Sequence, residues 1–355
     1  MIDIKSLDLE QVKALMKEWK EPEFRGKQLY QWIHQKLAGS FDAMSSLPLS
    51  LRERLQREAA LTSLKVQKCL VSKIDGTRKY LMALGDGNII ESVMMPYAHG
   101  NSVCISSQVG CAMGCRFCAS TLDGLVRNLT IGEMLDQVYQ IQTLLSERIS
   151  HVVMMGSGEP MDNYDNVVGF IKRISDKNGL HISQRNITVS TCGMVPAIES
   201  LAKEKLAVTL ALSLHAPNDA VRREIMPIAN RYGVEEVLLA CDRYFKTTGR
   251  RVTYEYSLVA GVNDNPGEAA ALSRLLKGRG GHVNLIPVNP IQERHYQQSS
   301  MDRIVHFKNI LEKNGINVTI RREMGRDING ACGQLRRSYL ETKKQEVGNA
   351  RSSFD

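Results

Sequence analysis

The sequence predicts an α/β fold, an open or partial barrel of six βα units behind a small N-terminal helical domain. Three observations predict it. From residue 100 onward, short strand-like runs alternate six times with helical ones, the signature of a parallel sheet. No dinucleotide-binding fingerprint accompanies them, which favours a barrel over a doubly wound sheet. The first sixty residues instead carry apolar side chains at helical spacing.

In chain order, "LDLEQVKALMKEW" and "RGKQLYQWIHQKLAG" have the helical period, and Gly39 is the expected stop of the second. From about Lys65 to Met95 the runs shorten around "DGT" and "GDGN", predicting a hairpin-rich segment. The six expected barrel strands are "SVCIS", "HVVMM", "NITVS", "VTLALSL", "VTYEYSL" and "HVNLIPV". The helices between and after them are "IGEMLDQVYQIQTLL", "NVVGFIKRI", "VPAIESLAKE", "VEEVLLACDRYF", "EAAALSRLLK" and "MDRIVHFKNILEKNG". One last strand-like run, "NVTI", precedes a Gly- and Arg-rich tail. The expected division is residues 1–60 helical, 61–98 β-rich, 99–320 barrel and 321–355 a loop and tail.

Hydrophobic residues make up 43% and charged residues 24%, which excludes a disordered chain. The opening residues lack a basic stretch followed by an apolar run, and no apolar stretch approaches the ~20 residues that span a bilayer. A cytoplasmic protein without membrane association is therefore expected. The net charge of +8 favours a polyanionic partner such as nucleic acid. Eight cysteines in such a chain point to metal-bound, catalytic or inert thiols rather than to a disulfide framework.

Three of them cluster in "VGCAMGCRFCAS": Cys111, Cys115 and Cys118. This spacing suits a [4Fe-4S] cluster in which three cysteines hold three irons and the fourth is open to a small molecule. Zinc and redox thiols are the alternatives, although a structural zinc site needs a second ligand pair that is missing here. The triplet falls in the loop after the first barrel strand, where barrel enzymes keep their chemistry. After "HVVMM", the run "GSGEP" offers Gly156 and Gly158 for close backbone approach and Glu159 as an acceptor for an ammonium group. A plain turn is the alternative. Ser190, Ser213, His215 and Asn289 stand at other strand ends, where they either converge on the barrel mouth or form turns. His215 suits a satisfied core histidine equally well.

The aromatic-bearing "CRFC" resembles the radical S-adenosylmethionine (SAM) superfamily. The resemblance implies a partial (βα)6 TIM-type barrel and a cluster on Cys111, Cys115 and Cys118 whose unique iron chelates SAM. It also implies SAM contacts from Gly158, Glu159, Ser190, Ser213, Leu214, His215 and Asn289, and release of a 5′-deoxyadenosyl radical. Read together, "CISSQVGC", "IESVMMP", "GEP", "SLHAP", "VNLIPVNP" and "RREMGRDINGACGQL" resemble the radical SAM RNA methyltransferases. The similarity runs from about Phe24 to Leu335. It is closest to the dual-specificity family acting on C2 of one adenine in 23S ribosomal RNA (rRNA) and one in transfer RNA (tRNA). A sibling family, associated with antibiotic resistance, methylates C8; "GEP" and "LIPVNP" look more like the C2 members. The resemblance implies that Cys332 takes a methyl group from one SAM and carries it to the base. Cys104 would form a transient disulfide with Cys332, and Glu91 would accept the proton of adenine C2. A flavodoxin or ferredoxin would supply electrons. No dimerising pattern is visible, so a monomer is expected.

Taken alone, Cys104 reads as a core residue, whereas Cys332 lies in a Gly-rich tail where Arg326 favours its thiolate. Cys69, Cys192 and Cys241 read as packing residues. Ser157, Cys192, Asn329 and Gly330 depart from the family pattern, and the last two are expected to loosen the catalytic loop. In the first domain Arg25, Lys27 and Lys36 interleave with Phe24, Tyr30 and Trp32, either to stack and neutralise RNA or as one face of a core helix. Arg321, Arg322, Arg326, Arg336 and Arg337 form a basic collar around Cys332, for RNA phosphates or merely for solvent. A buried thiol requires the target adenine to be unstacked.

Overall fold

The computed structural model describes residues 1–291 and 293–330. The chain opens with β1 (Ile2–Asp3), α1 (Leu9–Glu18), α2 (Glu23–His34), α3 (Leu49–Glu58) and β2 (Ala59–Ala60), which pairs parallel with β1. Asp8 starts α1 with a capping box, its carboxylate accepting from the Gln11 N–H while Gln11 reaches back to the Asp8 N–H. Val12, Met16, Leu29, Ile33, Leu51 and Leu55 belong to a separate small core. That core is tied to the barrel by buried polar contacts: Lys5 pairs with Asp136, and His34 Nδ1 lies 2.8 Å from the Tyr139 hydroxyl.

The second helix ends at His34, not at Gly39. Leu37 takes a left-handed conformation, with φ +57°, and packs its side chain on the barrel core. The Lys36 and Ala38 N–H groups meanwhile donate back to Gln31 and Trp32 carbonyls. Docking of Leu37 thus ends the helix early.

Next come β3 (Lys65–Val71), β4 (Arg78–Ala83), β5 (Ile89–Tyr97), β6 (Gly100–Cys104), and the short β7 (Gln108–Gly110) and β8 (Leu125–Asn128). Then α4 (Ile131–Leu145), β9 (Ile149–Met154), α5 (Tyr164–Ile174), β10 (Ile187–Thr191), α6 (Val195–Lys203) and β11 (Thr209–Ser213) alternate. They are followed by α7 (Asp219–Ile225), α8 (Val234–Thr248), β12 (Val252–Leu258), α9 (Pro266–Leu276), β13 (Gly281–Pro287), α10 (Met301–Lys313) and β14 (Val318–Ile320). Strands β6 and β9 to β14 pair parallel in chain order, so six βα units are present, with β14 following the last. The expected α/β architecture is borne out.

Two features differ from expectation. The hairpin segment is not set apart: β3, β4 and β5 continue the barrel sheet antiparallel from β6, giving ten strands. They cover what would otherwise be the exposed edge of β6. The helix α7 is additional. At seven residues, with Arg222 buried where an apolar side chain would stand, it has no readable amphipathic period. Among the described residues no helix is long and apolar enough to cross a membrane.

Candidate active site

The parallel strands end at one mouth, and their last residues enclose a cavity of about 350 Å³. Cys104, Gly158, Glu159, Ser190, Ser213, His215, Asn289 and Glu91 line it, as do Cys111, Cys115 and Cys118. Leu214 does not: its side chain is buried in the main core, and its N–H donates to the Glu255 carbonyl. Alternation along a strand explains this, because neighbouring residues point to opposite faces.

The cysteine loop hangs from the hairpin β7–β8. Gly110, at φ +77°, has the Gly124 carbonyl oxygen 2.0 Å from where a Cβ would lie, so no side chain fits. The Cys111 N–H donates to that same carbonyl, and the Thr121 hydroxyl donates to the Cys115 and Cys118 carbonyls. Burial pushes all three thiols up, Cys111 to about 12. None is a free thiolate near neutral pH; a bound cation would ionise them. Among the described residues no three His, Cys, Asp or Glu gather as closely as a single metal ion requires. A four-iron cluster takes its three cysteines on three different irons. Cys115, Cys192, Ile225 and Met226 form an apolar wall behind the loop, with Phe117 packed against it. The donor set and its dry wall fit an iron–sulfur cluster.

Beside the loop, Gly158 sits at φ +105°, where a Cβ would come within 2.6 Å of Gln108. The Glu159 carboxylate turns inward and accepts from the Cys192 N–H at 2.8 Å and the Met161 N–H at 3.1 Å. Burial raises its pKa. His215, at φ +56°, is buried, and its Nδ1 accepts from the Ser257 N–H at 2.9 Å. Burial and, secondarily, the Arg222 charge push its pKa down to about 3. The ring is therefore neutral, with the proton on Nε2 as a donor. It is held as a core histidine would be and still lines the cavity.

Across the cavity the groups are charged. Lys79 on β4 is fully buried, and its Nζ lies 2.8 Å from Glu91 Oε2 and 2.9 Å from the Asn329 carbonyl oxygen. The antiparallel register places Glu91 opposite Leu81, hence diagonal to Lys79 on one face of the sheet. The turn between β3 and β4 grips the same tail loop. Asp75 accepts from the Gly325 N–H at 2.9 Å, and Asp327 accepts from the Ser72 hydroxyl at 2.6 Å and the Lys73 N–H at 2.9 Å. Cys104, at the end of β6, is half-buried; burial raises its thiol pKa, against an opposing effect of the Arg321 charge.

Asn329 and Gly330, expected to loosen the loop, make defined contacts. Asn329 takes the left-handed conformation that asparagine tolerates, with φ +50°. A Cβ at Gly330 would stand 2.8 Å from the Met324 carbonyl oxygen, and the Gly330 N–H donates to Gly325. Gly330, two residues before Cys332 in sequence, lines the cavity. Cys332, Arg336 and Arg337 lie outside the described residues. Arg321 and Arg322 line the cavity with Glu255 and Glu323. In the first domain the aromatics divide: Tyr30 is buried and hydrogen-bonds Asp176, whereas Phe24 is exposed beside Arg25 and Trp32 lies under Lys36.

The sequence alone does not single out Lys79 or Arg222, and it gives Cys192 no role beyond packing. A lysine inside the apolar run "RKYLMA" was the only local signal for Lys79.

Residues 105–272 match the family model of the radical SAM superfamily, and residues 2–61 match that of the ribosomal RNA large subunit methyltransferase N-terminal domain. A relative from Lachnoclostridium phytofermentans, named probable dual-specificity RNA methyltransferase RlmN, is 63% identical, with 98% of each chain covered. A relative of the same name from Lachnospira eligens is 59% identical over 98% of this chain and 99% of its own. The crystal structure of a radical SAM methyltransferase from Sphaerobacter thermophilus superposes with a TM-score of 0.90 at 41% identity, covering 94% of this chain and 99% of that one.

Proposed function

This chain belongs to the radical SAM family of dual-specificity RNA methyltransferases, and we propose that it methylates C2 of one adenine in 23S rRNA and one in tRNA. The observation that carries the reading is one cavity lined by three clustered thiols, a glycine cradle, Cys104 and Glu91, with the loop leading to Cys332 at its rim.

Adenine C2 lies between two ring nitrogens and is electron-poor, so it does not attack the methyl of SAM as a nucleophile. Cys111, Cys115 and Cys118 hold the [4Fe-4S] cluster of this enzyme class, and Gly158, Glu159, Ser190, Ser213, His215 and Asn289 hold SAM. When bound, cluster and SAM together supply the 5′-deoxyadenosyl radical that abstracts hydrogen.

The remaining steps fall to the chain itself. The Cys332 thiolate attacks a SAM methyl group and becomes a thioether, releasing S-adenosylhomocysteine. Loss of a hydrogen atom from that methyl leaves a carbon radical, which forms a bond to C2 and tethers RNA to Cys332. The adduct gives up one electron to the cluster that Cys111, Cys115 and Cys118 would hold, replacing the one spent in forming the radical, and Glu91 removes the C2 proton. Cys104, giving up its thiol proton, then attacks the Cys332 sulfur. A disulfide forms, the sulfur–carbon bond breaks, and the new methyl group takes up a proton. Lys79 orients Glu91 for its part, its ammonium being shared with the Asn329 carbonyl.

Residues 1–60 serve as the RNA-binding accessory domain, supported by the exposed Phe24–Arg25 pair and the Trp32–Lys36 pair. A flavodoxin or ferredoxin serves as reductant, and the enzyme works as a cytoplasmic monomer.

Mass spectrometry of nucleosides from rRNA and tRNA of cells with and without the protein tests the reading. It expects 2-methyladenosine in both RNAs only when the protein is present. Finding 8-methyladenosine instead would replace C2 by C8.

A further inference from the structure

The Arg222 side chain is fully buried, and among the described residues its hydrogen bonds all go to backbone carbonyls. Its Nε donates to Leu214 at 3.1 Å, one terminal nitrogen to Tyr232 at 3.4 Å, and the other to Cys192 at 2.5 Å and Ser213 at 3.2 Å. Among the described residues no carboxylate forms an ion pair with it. Asp219, on the same helix, gives its carboxylate to the Val234 N–H and the neighbouring Arg223. Carbonyl dipoles solvate a guanidinium but do not neutralise it, and a buried unpaired charge is costly. Such a charge is retained most readily where an anion faces it.

The surroundings identify that anion. Ile225 and Met226, on the next turn of chain, pack with Cys115 and Cys192 in one buried apolar cluster. The Arg116 N–H, beside Cys115, donates to the Ile225 carbonyl at 2.9 Å. Gly193 leaves room for the guanidinium: a Cβ there would stand 3.2 Å from its terminal nitrogen. Glu159 holds the N–H of Cys192 while Arg222 holds its carbonyl, so the two opposite charges flank one residue behind the cysteine loop.

We propose that Arg222 is the fixed counter-charge of the three-thiolate centre and raises the reduction potential of the cluster held by Cys111, Cys115 and Cys118. The proposal rests on the cluster assigned above. A cluster on three thiolates is net negative, and reduction adds another negative charge. A permanent cation in the same dry compartment favours that step, because low dielectric leaves the attraction unscreened. Glu159 opposes it until an ammonium group pairs with its carboxylate.

The test is a potentiometric titration, followed by electron paramagnetic resonance, of anaerobically reconstituted holoenzyme whose iron content is measured first. Arg222→Gln keeps an amide donor for the carbonyls but no charge; Arg222→Lys keeps the charge. At a fixed potential the reduced-to-oxidised ratio should fall about tenfold in Arg222→Gln, a shift of about 59 mV for one electron, and stay near wild type in Arg222→Lys. Loss of the cluster in Arg222→Gln alone, with Arg222→Lys holding it at the wild-type potential, also supports the proposal. An unchanged midpoint in iron-loaded Arg222→Gln overturns it. So does equal unfolding of both variants, which would make Arg222 only a brace. Wild-type protein that takes up no iron would instead sink the cluster assignment.

Discussion

The wall behind Cys115 and Cys118 is faced by apolar side chains, its two charges, Arg222 and Glu159, are buried beside Cys192, and the cysteine loop is held by main-chain and hydroxyl hydrogen bonds. The opposite rim, from Lys79 and Glu91 to Asp75, Asp327 and the loop Gly325–Gly330, is held by charged groups. In the function proposed above, the two sides have different tasks. A redox centre needs a fixed cage that excludes water. Proton transfer and thiol exchange need ionised groups and a loop whose contacts can be traded for others.

The strongest way to break this comparison is to remove a ligand from the dry wall. Cys115→Ala should drop iron content well below that of wild type and abolish methylation, while the fold survives on the bonds from Thr121 and Gly124. Retention of full iron and activity would mean that Cys115 is no ligand.

A charge removed from the rim should act differently. Lys79→Met takes away a fully buried cation that Glu91 and Asn329 share, and should destabilise the protein by about 3 kcal/mol in urea unfolding. Methylation should fall while iron content holds. If iron falls in parallel, the two sides are not separable.

The smallest effect concerns Asp75. Burial raises its pKa, but hydrogen bonds from Gly325, Thr77 and Ser72 outweigh it and hold the carboxyl down at about 2. A group depressed in the folded state stabilises above its unfolded pKa of about 3.9, and the contribution is lost as pH falls towards 2. The melting difference between wild type and Asp75→Asn should therefore be steady above pH ~5 and shrink below pH ~4. A difference independent of pH would show that the contact is not ionic.

The contrast also separates what could be read in the sequence from what could not. The cysteine trio, "GSGEP" and the βα alternation are local patterns, and local spacing is what a linear reading sees. The rim is not local: Lys79 meets Asn329 across 250 positions. Its partner at Glu91 emerges only from the antiparallel register of β4 and β5. Arg222 was hidden for a related reason. A buried arginine satisfied by carbonyls leaves no charge partner in the sequence, and the short helix that holds it has no apolar period. The helix α2 ends before Gly39 because Leu37 docks on a distant core, which outweighs the glycine signal.

The central claim is that the cysteine loop and the tail thiol divide the work, the former generating the radical and the latter carrying the methyl group. The most direct measurement is peptide mass spectrometry of enzyme quenched during turnover with SAM bearing a deuterated methyl group. A labelled S-methyl group on Cys332, chased into RNA on further turnover, is the predicted result. Labelled RNA formed while Cys332 stays an unmodified thiol throughout would contradict the account.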